Sequence, residues 1–299
     1  MSEAASTVPW PVIEANGKEV PWVGLNLDTS LANTTEDIDS NIERTLGSEY
    51  SPFTPLINCK TGAVSIVGSG PSLKTTWHNI SGDIIACNAS AGYLIGRGVI
   101  PKYAMCFDAD PLSEAFFKKP HKDVTYLIAS RCAPIVFEQL KGCNVVVWHA
   151  KGDLNIDSLL TKHRRMEPMV GGGGAAVTRT MFLAQAMGYK HFHLYGIDSS
   201  YRRNDGDTHI GKSTTEERYL QIMCNNQVFD TTPWMAGQAE DFKALVPSLI
   251  RIGIKVSVHG DGLIPTIAKA MNLDVDGEAR SKQIWREIKM KSSALWNSL

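Results

Sequence analysis

Ala63-Val-Ser-Ile-Val-Gly-Ser-Gly-Pro-Ser-Leu73 is an apolar run that breaks into a glycine turn and then into a helix start. Val64, Ile66 and Val67 supply a buried strand. Gly68 and Gly70 permit backbone angles that other residues avoid, and Pro71 with Ser72 suits a helix's first turn. Free N–H groups at such a turn converge on one spot, where the helix dipole favours an anion. Gly68, Ser69, Gly70, Pro71 and Ser72 are therefore candidate phosphate contacts. The same glycines would also serve an ordinary strand-to-helix connection. The spacing G-x-G-P-S-L falls short of G-x-G-x-x-G, so dinucleotide binding is not supported.

Outward from this turn, short apolar runs alternate with helical periods. Ala63–Val67, Ile84–Cys87, Tyr103–Phe107, Val124–Ala129, Asn144–His149, His191–Tyr195 and Lys255–His259 are the expected strands. Ala89–Gly96, Ala133–Gln139 and Ala175–Met187 are expected helices between them. The alternation predicts an α/β protein with a mostly parallel, doubly wound sheet and helices on both faces. Residues 62–275 would form that domain, preceded by an N-terminal arm and helix over 1–61 and followed by a peripheral helix over 276–299. The first 30 or so residues read as an extended arm with Trp10 and Trp22 as anchors. A Thr start, early acids and Ile38, Ile42 and Leu46 at one-turn spacing predict an amphipathic helix over Thr34–Leu46.

The 299 residues carry 30 basic and 31 acidic side chains, a net charge of −1, with 43% hydrophobic residues. That balance provides no global field toward nucleic acid or an anionic membrane. Lys162-His-Arg-Arg165, with Lys151 upstream, leaves a local nucleic-acid contact open, although such clusters are more often solvated loops. No apolar run approaches the ~20 residues of a membrane helix and the N-terminus is not signal-like, so a cytoplasmic protein is expected. Six scattered cysteines form no C-x-x-C pair, which argues against disulfides and a structural metal. Self-association is left open.

Ligands of open α/β sheets collect beyond the carboxyl ends of the strands, so the residues just past each strand end are the candidates. Asn88 comes after the second strand and could bond a ribose or base, or cap the next helix. The third strand ends in Phe107-Asp-Ala-Asp-Pro111. Asp108 and Asp110 could hold Mg²⁺ or Mn²⁺ against diphosphate oxygens; alternatively Asp110 initiates the turn before Pro111. Gly171, Gly172, Gly173 and Gly174 lead into a helix whose early turns carry Thr178 and Arg179, repeating the phosphate logic, with a hinge as the alternative. After Leu194-Tyr-Gly-Ile-Asp198 comes a polar loop containing His209, whose pKa would suit it to accept a proton near neutral pH.

The ordered motifs GSGPSL, CNASAGYLIGRGVIPKYAMCFDADP and GGGGAAVTRTMFLAQAMGYKHFHLYGID, spanning Val64 to Leu263 with the downstream His, resemble one superfamily. It comprises the 6-hydroxymethylpterin diphosphokinase-like proteins, the motility-associated-factor glycosyltransferases and Campylobacter-type sialyltransferases. The resemblance implies a Rossmann-like variant fold that binds a nucleotide or nucleotide-sugar across Gly68–Ser72, Asn88 and Gly171–Gly174. The sialyltransferase branch has a catalytic His in the loop after G-I-D, and His209 is the only His there. That branch is metal-independent, whereas Asp108 and Asp110 look more like the other two.

Three functions are thereby set against one another. The first is a nucleotide-dependent glycosyltransferase, moving a sugar from a nucleotide-sugar donor to a hydroxyl acceptor, with His209 as base and Asp198 orienting it. The second is a diphosphokinase passing diphosphate from ATP to a hydroxymethyl-pterin-like heterocycle, for which the paired carboxylates and Mg²⁺ would be indispensable. The third is a non-catalytic nucleotide-binding module. The acceptor is unspecified by any motif.

Overall fold

The computed structural model describes residues 12–15, 18–21, 33–201 and 220–276. His209, Trp10, Trp22 and the expected C-terminal helix lie outside them.

The chain begins with β1 (Val12–Ala15) and β2 (Lys18–Pro21), then α1 (Thr35–Leu46) and β3 (Ser51–Pro52). The alternating part starts with β4 (Ala63–Val67), α2 (Leu73–Thr76), β5 (Asp83–Cys87), α3 (Ala89–Ile95), β6 (Tyr103–Cys106), β7 (Thr125–Ala129), α4 (Pro134–Gln139) and β8 (Asn144–Ala150). Next come α5 (Ile156–Lys162), β9 (Met169–Val170), α6 (Ala176–Met187), β10 (His191–Tyr195), β11 (Leu220–Cys224) and β12 (Gln227–Thr231). The described chain ends with α7 (Pro233–Arg251), β13 (Lys255–His259), α8 (Leu263–Ala270) and β14 (Asp274–Asp276).

The main sheet runs β14-β13-β10-β4-β5-β6-β7-β8-β3, with β9 added to β8, and every pair is parallel. From β4 to β8 the chain steps one way across the sheet; after α6 it returns to the other side of β4 as β10. Right-handed crossovers therefore put α2 to α4 on one face and α6 to α8 on the other. This is the expected doubly wound architecture. Central strands buried from both sides are mostly apolar, and Ile66, Ile85, Leu127, Leu194 and Val258 are each 0% exposed, while the buried Ser65 of β4 donates its Oγ–H to Ser81 O. Full burial of one such side chain stabilises the fold by about 1.5–3 kcal/mol.

α1 forms where expected. Thr34 and Asp37 make a reciprocal capping box, and Ile38, Ile42 and Leu46 form a second apolar cluster with Ile156 and Leu160 of α5 and with Ala109. β3 adds itself to the sheet edge at β8. Two features differ from the sequence expectation. Within the stretch read as an extended arm, β1 and β2 pair antiparallel, and β1 also pairs with β11 in a separate antiparallel sheet ordered β12-β11-β1-β2. A 19-residue helix, α7, also fills the interval before β13. Among the described residues, no helix is long and apolar enough to cross a membrane.

Candidate functional site

The strand order reverses between β4 and β10, which is where an open α/β sheet makes its ligand crevice. Here the two strand ends are held together. Gly68 N–H donates to Tyr195 O and Gly70 N–H to Gly196 O, both at 2.8 Å. A Cβ on Gly68 would lie 2.4 Å from Gly196 O, so these glycines are required by close backbone approach within the protein. Beyond them, Asp198 is 2% exposed and accepts from Ser72 twice, from N–H at 2.6 Å and from Oγ in a short bond. The N–H that an anion would have taken is thus occupied by a carboxylate. The helix it begins, α2, has only four residues. Gly68, Ser69, Gly70 and Asp198 line the cavity above, whereas Pro71 and Ser72 are buried and do not.

That cavity has a volume of about 560 Å³, within the range that takes a nucleotide-sized ligand. Of the second glycine run only Gly174 reaches it; the candidates Gly171, Gly172 and Gly173 do not line the cavity. Gly174 lines the cavity and donates N–H to Asp241 Oδ2 at 2.6 Å, while a Cβ on Gly173 would meet the same oxygen at 2.3 Å. Ala175 then caps the 12-residue α6 with no side-chain acceptor, and Ala176, Val177 and Thr178 line the cavity. First-turn N–H groups have no acceptor within their own helix, so this N-terminus turns donors and dipole toward the space. Thr178 Oγ donates to Ala175 O at 3.0 Å. Arg179 is 6% exposed; it donates to the carbonyls of Gly173, Val170 and Lys151, holding the glycine run rather than reaching out for phosphate.

Asn88 stands at the N-terminus of α3 with φ 51° and ψ −127°, a costly conformation for a non-glycine residue. Its side chain makes no capping bond, and its Oδ1 is buried without a described partner. An amide that lines a cavity and does not cap is free for a ligand there.

Asp108 and Asp110 also line the cavity. One oxygen of each serves the local turn: Asp108 Oδ1 accepts from Asp110 N–H at 3.1 Å, and Asp110 Oδ1 from Leu112 N–H at 2.9 Å. The turn-initiating role is therefore filled by Asp110, and each residue keeps a second carboxylate oxygen. No group of three His, Cys, Asp or Glu side chains suited to a metal occurs among the described residues. Two carboxylates with phosphate and water completing the shell still fit Mg²⁺ or Mn²⁺, which require few protein ligands in such sites.

Several cavity residues were not among the sequence candidates. Arg131 and Asp153 pair at 2.6 Å, with Asp153 8% exposed and its Oδ2 lacking a described partner. Burial raises the Asp153 pKa against the opposing pull of Arg131 and Arg179. Phe107 stacks on Trp148 with both guanidiniums within 5 Å of its ring centroid, Arg131 at 4.8 Å and Arg179 at 4.7 Å. Trp234 and Gln238 reach the same space from α7. A Thr-Pro pair at 232–233 is the kind of start signal that identifies such a helix in sequence. Cys87 also lines the cavity, but burial pushes its thiol up to about 12, which suits a core thiol and not a nucleophile. Within the basic cluster, Lys162 pairs with Glu43 and Arg165 with Glu167.

A family model described as 6-hydroxymethylpterin diphosphokinase MptE-like matches residues 36–204. Among solved structures, that of MAf glycosyltransferase from Magnetospirillum magneticum AMB-1 is similar with a TM-score of 0.59 and 17% identity. The likeness covers 83% of this chain and 39% of that one, so the chain spans about two fifths of that protein. It supports the Rossmann-like fold. No curated protein sequence matches the chain.

Proposed function

Because the chain belongs to the 6-hydroxymethylpterin diphosphokinase MptE-like family, we propose that it is a nucleotide-dependent transferase, and that it moves a sugar from a nucleotide-sugar donor to a hydroxyl acceptor. One observation carries this reading: the uncapped N-terminus of α6 and the uncommitted amide of Asn88 face one cavity at the strand-order reversal. The α6 N–H groups would hold the nucleotide phosphates, and Asn88 would bond the ribose or base. The neighbouring glycosyltransferase fold supports sugar as the transferred group.

In this mechanism His209 accepts the acceptor hydroxyl's proton as the oxygen bonds to the anomeric carbon. The bond from that carbon to the phosphate breaks, and the nucleotide leaves with the electron pair. Negative charge grows on the leaving phosphate, where the fixed N–H dipoles of α6 stabilise it without reorganising. Asp108 and Asp110 would hold a divalent cation, which when bound supplies further neutralisation of the phosphates. Asp198 has both oxygens engaged by Ser72, so in this proposal it fixes the strand end from which the His209 loop departs.

Diphosphate transfer to a pterin-like heterocycle is the second reading, favoured by the Asp108/Asp110 pair. Thermal shift against nucleotides separates the two. CMP, UDP or GDP should stabilise a glycosyltransferase, by about 2.7 kcal/mol at a hundredfold excess over Kd. Stabilisation by ATP with Mg²⁺ alone supports diphosphate transfer, and no response to any nucleotide rejects both. Donor turnover that survived both EDTA and His209→Ala would remove the metal and base roles.

A further inference from the structure

The first turn of α7 carries an indole that the fold does not use. Trp234 is 51% exposed and lines the cavity. The other exposed large apolar side chains among the described residues, including Leu112, Leu154 and Met166, do not line it. Scattered apolar residues on a surface need no explanation, but one that lines a ligand space does. Its helix is firmly anchored there. Thr232 caps α7 by accepting from Met235 N–H at 3.2 Å, Pro233 occupies the first turn, and Met235 is 5% exposed.

One helical turn onward, on the same face, Gln238 is exposed and also lines the cavity. Its Oε1 accepts from Ser199 Oγ at 3.2 Å, which orients the amide. The pair therefore offers a flat apolar face next to an oriented amide, at a position open to water. Another part of the lining has the opposite character. Arg131 and Asp153 are mostly buried there, and Phe107 already has Trp148 stacked on it.

We infer that Trp234 and Gln238 form the acceptor subsite and that the acceptor is a pyranose carbohydrate. A pyranose presents C–H groups on one face and hydroxyls around its rim, which matches an indole face flanked by an amide. An acceptor must also enter and leave as product, and a half-exposed platform suits that exchange. A fused heterocycle could stack on the same indole, but its ring N–H groups would want the carboxylate of Asp153 and its guanidinium partner Arg131, which are mostly buried. The inference rests on the transferase reading above, and its test is built so that the two can fail separately.

Saturation-transfer NMR with methyl galactopyranoside and methyl N-acetylglucosaminide, in the presence of UDP or CMP, reads the contact directly. The wild-type chain should saturate the pyranose ring protons. Trp234→Ala should weaken the interaction about tenfold, and Trp234→Phe, which keeps an aromatic face, should restore most of it. A melt of each variant checks folding, which a half-exposed side chain should affect little. The inference is overturned by an absence of pyranoside signal on nucleotide-loaded wild type, or by an equal signal on Trp234→Ala. It is also overturned if 6-hydroxymethylpterin alone saturates at this site, or if Trp234→Ala abolishes the nucleotide shift, placing the indole on the donor. Wild-type protein that binds pyranosides through Trp234 yet responds to no nucleotide would instead sink the transferase reading and leave the ring platform standing.

Discussion

Gly68–Ser72 and Gly171–Gly174 look alike in sequence, since both are glycine turns that lead into a helix, yet they do different things. At the first, backbone meets backbone, with Gly68 against Gly196 and the helix-start N–H closed by Asp198. At the second, a carboxylate also arrives, but Asp241 takes the N–H of Gly174, which precedes the helix, and the first turn of α6 remains turned toward the cavity. Glycine before a helix thus marks close approach by something. Only the tertiary partner tells whether that is another strand or a ligand.

The contrast can be broken most sharply at Gly68. A Cβ there meets the Gly196 backbone at 2.4 Å, and that backbone is held at the end of a central strand, so Gly68→Ala should cost more than about 3 kcal/mol in urea unfolding. Gly171 has nothing within 4 Å of the same position and no positive φ, so Gly171→Ala should stay within about 0.5 kcal/mol of wild type. Equal losses at the two sites would erase the distinction.

Acid probes the second region by another route. His149 is 1% exposed in β8, where Met169 of β9 pairs with it, and burial lowers its pKa to about 4. Its folded value lies below the unfolded 6.5, so the unfolded chain takes the proton first. Stability present above pH 6.5 should be lost as pH falls toward 4, by up to about 3 kcal/mol, and His149→Asn should flatten that part of the profile. Asp198→Asn is smaller again. It replaces the carboxylate that accepts two bonds from Ser72 and should destabilise by about 1.5–3 kcal/mol in urea unfolding.

Much of the sheet is legible because its strands are buried on both faces. β4, β10 and β13 run over the residues that the apolar runs mark, since glycine ends the first two and Gly253 sets off the third. β3, β9 and β14 escape notice because two or three residues cannot display a period. α7 is obscured by Gly237 within its second turn and Pro247 farther along, both of which read as breaks, and with it went Trp234 and Gln238. The candidates Asn88, Asp108, Asp110 and Gly174 do line one cavity, because strand ends in a parallel sheet gather at one edge. The Ser72–Asp198 pairing joins residues 126 apart, and nothing local to either announces the other.

That separation also leaves one strand edge dependent on a distant part of the chain. β4 emerges as the first of the long central strands, but one of its two edges has no neighbour until β10 has been made. In the interval the apolar edge of Val64, Ile66 and Val67 is a template for the wrong partner, the hazard that slow, non-local parallel pairing carries. The crevice therefore depends on both halves of the sheet, and the ligand site exists only where β4 and β10 have paired.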